Sequence, residues 1–200
     1  MNATDLPTGD LSTGPVRVLG ISGSLRSESF NTAALRAVAA LAGAEVQLEV
    51  WNGLAAVPPY NQDEEDAPPA AVLALREAVT GADALLFATP EYNSSLPGQL
   101  KNALDWASRP HGKGVLAGRT VAVIGASPSG FGAKWAQAEL RKVLTACGAE
   151  VVGPELCIAQ AYSAFGPDGL PVSPELRTSL TDLAKVLAAA VRDGAAEPSA

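Results

Sequence analysis

The run Ala82 to Thr89, near-continuously apolar through ALLFA, limits this chain's architecture more than any other stretch. A strand apolar at successive positions is covered on both faces, the situation of a parallel strand between two helical layers. The rest of the chain alternates to match. Val16 to Ile21 is a first short apolar run; Glu45 to Trp51 turns Val46, Leu48 and Val50 to one side; Thr120 to Ala126 and Glu150 to Ile158 are the fourth and fifth runs. Between them lie helical patterns at about 32–42, 69–80, from Pro97 onward, and around Ala136 to Cys147. A last one opens at Pro174 and carries the stripe Leu176, Leu180, Leu183, Leu187, Val191.

Five strands alternating with five helices imply an α/β fold, a three-layer doubly wound parallel sheet with right-handed crossovers. The expected arrangement is flavodoxin-like, five strands in order 2-1-3-4-5, with ligands at the carboxyl edge near strands 1 and 3. At 200 residues the chain suits one domain. We expect it at 15–193, between a disordered tail at 1–14 and a loose ending at 194–200.

Gly20 to Thr32, GISGSLRSESFNT, joins the first strand to the first helix. A loop at that place receives anions, because free N–H groups and the helix dipole both favour negative charge. It lacks GxxxxGK[ST] and the third glycine of a dinucleotide fingerprint. Instead it offers Ser22, Ser24, Ser27, Ser29, Asn31 and Thr32 with one guanidinium, Arg26. Many short donors plus a fork-shaped cation suit a terminal phosphomonoester, as in a mononucleotide such as FMN. The same composition also suits an ordinary serine-rich connection capped at Asn31.

Two further loops leave strand ends. Pro90-Glu91-Tyr92-Asn93 could meet the edge and face of a flat heterocycle, or could be a plain turn whose tyrosine packs locally. Ser127-Pro128-Ser129-Gly130-Phe131-Gly132 is rich in small residues. In the expected strand order all three loops converge.

Charge excludes some partners. A net charge of −7 argues against a nucleic-acid or anionic-membrane surface, so no nucleic acid and no membrane are expected, and a small molecule is. The opening residues have neither the basic start nor the apolar centre of a secretion signal. Cys147 and Cys157 fit no metal spacing and are expected to be buried, in a cytoplasmic protein. The acid run Asp63 to Asp66 reads as a solvated turn, and His111 as an exposed loop residue, so no metal site is expected.

GSLRSESFNTAALR together with PEYNSSLPGQLKNALDWASRP resembles the NADPH-dependent FMN reductase family, which includes quinone, chromate and azo-dye reductases. The resemblance runs from about residue 16 to residue 190. It implies that Ser24, Arg26, Ser29, Asn31 and Thr32 surround the FMN phosphate and that Pro90, Glu91, Tyr92 and Asn93 line the isoalloxazine ring. Ser127, Ser129 and Gly130 are implied to touch the flavin from the third loop. It further implies two-electron transfer from NADPH or NADH through FMN to a small acceptor, such as a quinone, free flavin, chromate or azo compound. Hydride transfer demands no acid–base side chain, and no catalytic residue is named. Similar proteins form homodimers or homotetramers. An alternative is a flavodoxin-type electron carrier without its own NAD(P)H activity.

Overall fold

The structure, a computed structural model, describes residues 14–196. The strands are β1 (Val16–Ser22), β2 (Val46–Trp51), β3 (Ala84–Thr89), β4 (Thr120–Ala126), β5 (Glu150–Val151) and β6 (Leu156–Ile158). The helices are α1 (Phe30–Leu41), α2 (Ala70–Thr80), α3 (Gly98–Ala107), α4 (Lys134–Ala146) and α5 (Pro174–Ala196). The sheet runs β2-β1-β3-β4-β5, and every pairing is parallel, which is the expected flavodoxin-like order.

The fifth strand departs from a single run over 150–158. Gly153 takes a left-handed backbone (φ 72°) and Pro154 follows with no N–H to donate. The ladder therefore breaks into β5 and β6, each pairing with β4.

Strand period explains the two cores. Leu86 and Ala88 of β3 point to the layer of α1 and α5, where Leu35, Val38, Leu180 and Leu187 are buried with them. Leu85 and Phe87 point the other way, to Leu75, Leu100, Leu104 and Leu140 of α2, α3 and α4. Each such fully buried side chain contributes roughly 1.5–3 kcal/mol from removal of apolar area from water.

Local chemistry moved some boundaries. α1 starts at Phe30 because Ser29, not Asn31, is the N-cap; its side chain accepts the N–H of Thr32 at 3.2 Å. β3 starts at Ala84 because Asp83 turns to Arg17, accepting its N–H and Nη2 at 2.8 Å each. Helix α5 continues through Ala196, into the segment expected to be loose, while 1–13 and 197–200 lie outside the described residues.

The cysteines also differ from expectation. Cys147 is half-buried and Cys157 exposed. Cys157 lies between Leu156 and Ile158, which fill the core, so alternation on this short edge piece turns it outward. Burial pushes both thiols above their ordinary pKa, against the lowering hydrogen bond from Gln137 at Cys157, so neither is a ready nucleophile at neutral pH. Among the described residues no helix is long and apolar enough to cross a membrane.

Candidate functional site

The loop after β1 is held from below and from the side. Gly23 donates its N–H to Ala88 O at 2.8 Å. A Cβ at Gly23 would stand 2.9 Å from Leu100 Cδ2 and 3.3 Å from Pro90 Cδ, so glycine lets this loop lie against the one after β3. Thr32 Oγ1 donates to Ser22 Oγ at 3.0 Å, and the N–H of Ser24 reaches the same hydroxyl at 3.3 Å. Arg26 is exposed, with its guanidinium 4.9 Å from the centre of the Phe30 ring. Among the described residues it makes no ion pair. A cleft of about 260 Å³ opens here, lined by Ser22, Ser24, Arg26, Ser27 and Thr32 together with Arg36, Trp51 and Leu54.

Asn31 does something different from the hydroxyls. It is buried, its Nδ2 donates to Ala126 O at 3.0 Å, and its Oδ1 accepts the N–H of Ala126 at 2.9 Å. Both ends of the amide are committed to the last residue of β4, so Asn31 locks α1 to the root of the third loop. Ser29, 4% exposed, is likewise occupied as the helix cap.

In the loop after β3, Pro90 is buried and Glu91 reaches across to α4. Its Oε2 accepts the N–H of Trp135 at 3.0 Å and of Ala136 at 3.2 Å, supplying the cap that Ala133 cannot. Tyr92 and Ser95 exchange N–H···O bonds of 3.0 and 3.1 Å, which closes a tight turn. Asn93 and Ser94 sit at its tip with φ of 53° and 61°, the twofold positive pattern of a type I′ turn. Tyr92 and Asn93 are thereby presented to solvent.

The loop after β4 is knitted by hydroxyls. Ser127 Oγ accepts the N–H of Ser129 at 3.2 Å, and Ser129 Oγ accepts that of Phe131 at 3.3 Å. Nothing stands within 4 Å of a Cβ built on Gly130, so the tip is open. The N–H groups of Gln160 and Ala161 donate to Ser129 O and Ser127 O at 3.0 Å each, which brings Tyr162 to this rim. Phe131 and Trp135 pair at 4.9 Å between ring centres, and both are exposed, like Tyr92 and Tyr162.

The long connection 52–69 is clamped to α3 by three side chains one helical face apart. Gln99 Nε2 donates to Leu54 O and Val57 O at 2.8 Å, Asn102 Nδ2 to Pro58 O at 2.8 Å, and Trp106 Nε1 to Pro58 O at 2.9 Å. Leu54, which lines the cleft, is thus fixed by the helix that follows the β3 loop.

Because β1, β3 and β4 are neighbours, their loops share one edge of the sheet. The structure brings Ser24, Arg26 and Thr32 to the cleft and places Tyr92, Asn93, Ser129 and Gly130 on the adjoining rim. It turns the side chains of Ser29, Asn31 and Glu91 to holding loops in place. Sequence reasoning missed Arg36 and Trp51. Arg36 could have been found from its i,i+4 relation to Thr32.

These features agree with relatives. Over residues 16–163 the chain matches the family model of NADPH-dependent FMN reductases. An NAD(P)H-dependent FMN reductase of Pseudomonas aeruginosa is 44% identical over 156 residues, covering 77% of this chain and 83% of that one. A 2-hydroxy-1,4-benzoquinone reductase of a Burkholderia species is 37% identical over 179 residues, covering 89% and 97%. In three dimensions the chain superposes on FerB, a flavoenzyme NAD(P)H:(acceptor) oxidoreductase of Paracoccus denitrificans, with a TM-score of 0.82 at 33% identity, covering 90% and 98%. The order of the sheet and these likenesses meet in one conclusion: the chain belongs to the NADPH-dependent FMN reductase family.

Proposed function

We propose that this protein is an NAD(P)H oxidoreductase that binds FMN at the β1 cleft and passes two electrons to a small quinone-type acceptor. The observation that carries the reading is the cleft itself: the hydroxyls of Ser22, Ser24, Ser27 and Thr32 and the Arg26 guanidinium line it, and no carboxylate does. Such a donor set fits a phosphomonoester dianion.

Ser22, Ser24, Arg26, Ser27 and Thr32 would hold the phosphate. Ser29 and Asn31 act one step back, by fixing the helix start and the β4 end that the donors depend on. Tyr92 and Asn93 on one side and Ser129 and Gly130 on the other border the space for the ring, with Pro90 packed beneath and Glu91 holding its loop to α4. FMN, once bound, supplies the transfer of hydride from reduced nicotinamide and the delivery of electrons to the acceptor. The chain's part is to bind, to orient and to leave one face open for the two substrates in turn. Neither cysteine is needed, consistent with their raised pKa values.

The FMN reductase and benzoquinone reductase names of the relatives support the reading. The exposed Phe131, Trp135 and Tyr162 beside the ring space support a homodimer, in which a second copy covers part of this rim.

The test is direct. Protein incubated with FMN and freed of excess should keep a flavin absorbance spectrum and oxidise NADPH with a benzoquinone, with no partner reductase added. A protein that stays colourless and leaves NADPH untouched contradicts the proposal.

A further inference from the structure

Helix α4 sets two polar side chains, Gln137 and Arg141, against the sheet, four residues apart and so on one face. Gln137 is fully buried. Its Nε2 donates to Gly132 O and to Cys157 Sγ at 3.2 Å each, and lies so close over β4 that a Cβ at Gly125 would stand 2.8 Å from it. Gly132, at φ 57°, rests directly on β6, where a Cβ would stand 2.7 Å from Cys157 C. One amide thus ties the end of the third loop, Ser127 to Gly132, to β6.

Arg141 answers the break in the fifth strand. Val121 pairs with Val151 and Ile124 with Leu156, so the four residues Val152 to Glu155 stand opposite only Ala122 and Val123. Extra residues on one side interrupt a ladder. Arg141 Nη2 donates to Gly153 O there. Among the described residues Arg141 makes no ion pair.

Each side chain has one polar atom left over. Gln137 Oε1 and Arg141 Nη1 are sealed from solvent, and neither meets a hydrogen-bond partner, the other included. Among the described residues no other buried side-chain nitrogen or oxygen is left so, and these two fall one helical turn apart on the same face. Helical side chains lean toward the helix start, which brings the long Arg141 back alongside Gln137.

The pair is one acceptor and one donor. An amide oxygen repels an anion and a guanidinium repels a cation, whereas a water molecule accepts from Nη1 and donates to Oε1. We propose that Gln137 and Arg141 jointly bind one buried water, and that this hydrated pair sets the third loop against β6. Because that loop borders the ring space, Gln137 is then a positioning residue for FMN, a role that rests on the reductase reading.

A crystal structure of the full chain is expected to show one water within about 3.2 Å of both Gln137 Oε1 and Arg141 Nη1. A direct bond between the side chains, two separate waters, an ion or a dry gap overturns the site. Hydrogen exchange tests the loop. Gln137→Met keeps the length and removes the amide, and should speed exchange at 127–133 on the order of tenfold, the scale of one lost hydrogen bond, with the loop after β1 unchanged. Arg141→Met leaves Gln137 in place and should speed the same segment, because the water transmits the loss. Third-loop exchange that stays at the wild-type rate in Arg141→Met, or equal acceleration at the loop after β1, overturns the coupling. In Arg141→Met the FMN affinity should fall severalfold, and an unchanged affinity removes the positioning role. A wild type that binds no FMN contradicts the reductase reading, while the water and the exchange rates still decide for or against the pair.

Discussion

The side chain of Asn31 and the main chain of Ala126 form a closed pair, with Nδ2 donating at 3.0 Å and Oδ1 accepting at 2.9 Å. One amide thus joins the helix that follows the β1 loop to the strand that delivers the third loop. Removing it leaves a buried N–H and a buried C=O without partners. Asn31→Ala should therefore cost about 2–3 kcal/mol of stability, read from urea unfolding, and should weaken FMN binding as well. Unchanged unfolding would show that the pair is dispensable.

Glu91 bridges the other two loops by capping α4 through Trp135 and Ala136. Loss of a helix cap costs about 1 kcal/mol, so Glu91→Ala should lower the denaturation midpoint accordingly. Glu91→Gln keeps an acceptor oxygen and should lose less. If both variants unfold with wild-type midpoints, the cap contributes nothing.

Ser94, at φ 61°, occupies a turn position that favours glycine. Ser94→Gly should be stabilising by up to about 1 kcal/mol, because relief of the left-handed strain outweighs the added freedom of the unfolded chain. Ser94→Val should be destabilising, since a branched side chain resists that backbone. Thermal melts of the two variants that shift in the same direction would reject the strain argument.

At the opposite edge of the sheet, burial pushes the Asp83 carboxyl up, but the Arg17 side chain and N–H, with Arg119 nearby, together pull it below the ordinary carboxylate range. A carboxyl depressed in the folded state stabilises above its unfolded pKa of about 3.9, and that stability is lost as pH falls through the lower folded value. Asp83→Asn should cost about 1 kcal/mol at pH 7, a modest figure because Arg17 is half exposed. It should also flatten the acid limb of stability below about pH 4. Unfolding of wild type and variant at pH 7 and pH 3 checks both.

Much of this was legible in sequence, for identifiable reasons. ALLFA and the alternating helices fixed the layers, since covering a strand on both faces leaves few choices. The β1 loop was legible as a donor cluster because serine, threonine and arginine side chains state their own hydrogen-bonding capacity. What Asn31 and Glu91 do was not. Each is spent on a main-chain group far along the chain, Ala126 and Trp135, and such pairings depend on how finished elements dock. The break at Gly153-Pro154 was visible as residues but was overridden by the apolar run on either side. Cys157 was misplaced for a related reason, because a two-sided burial expectation fails on an edge piece.

In the proposed function Arg26 and its neighbouring hydroxyls hold the phosphate of one FMN. Titration of flavin-free wild-type protein and Arg26→Ala with FMN, followed by flavin fluorescence, tests it most directly. One FMN should bind to the wild type, with a loss of roughly 1.5–3 kcal/mol in the variant, about ten- to a hundredfold in Kd. Equal affinities in the two proteins, or a wild type that binds no FMN, would contradict it.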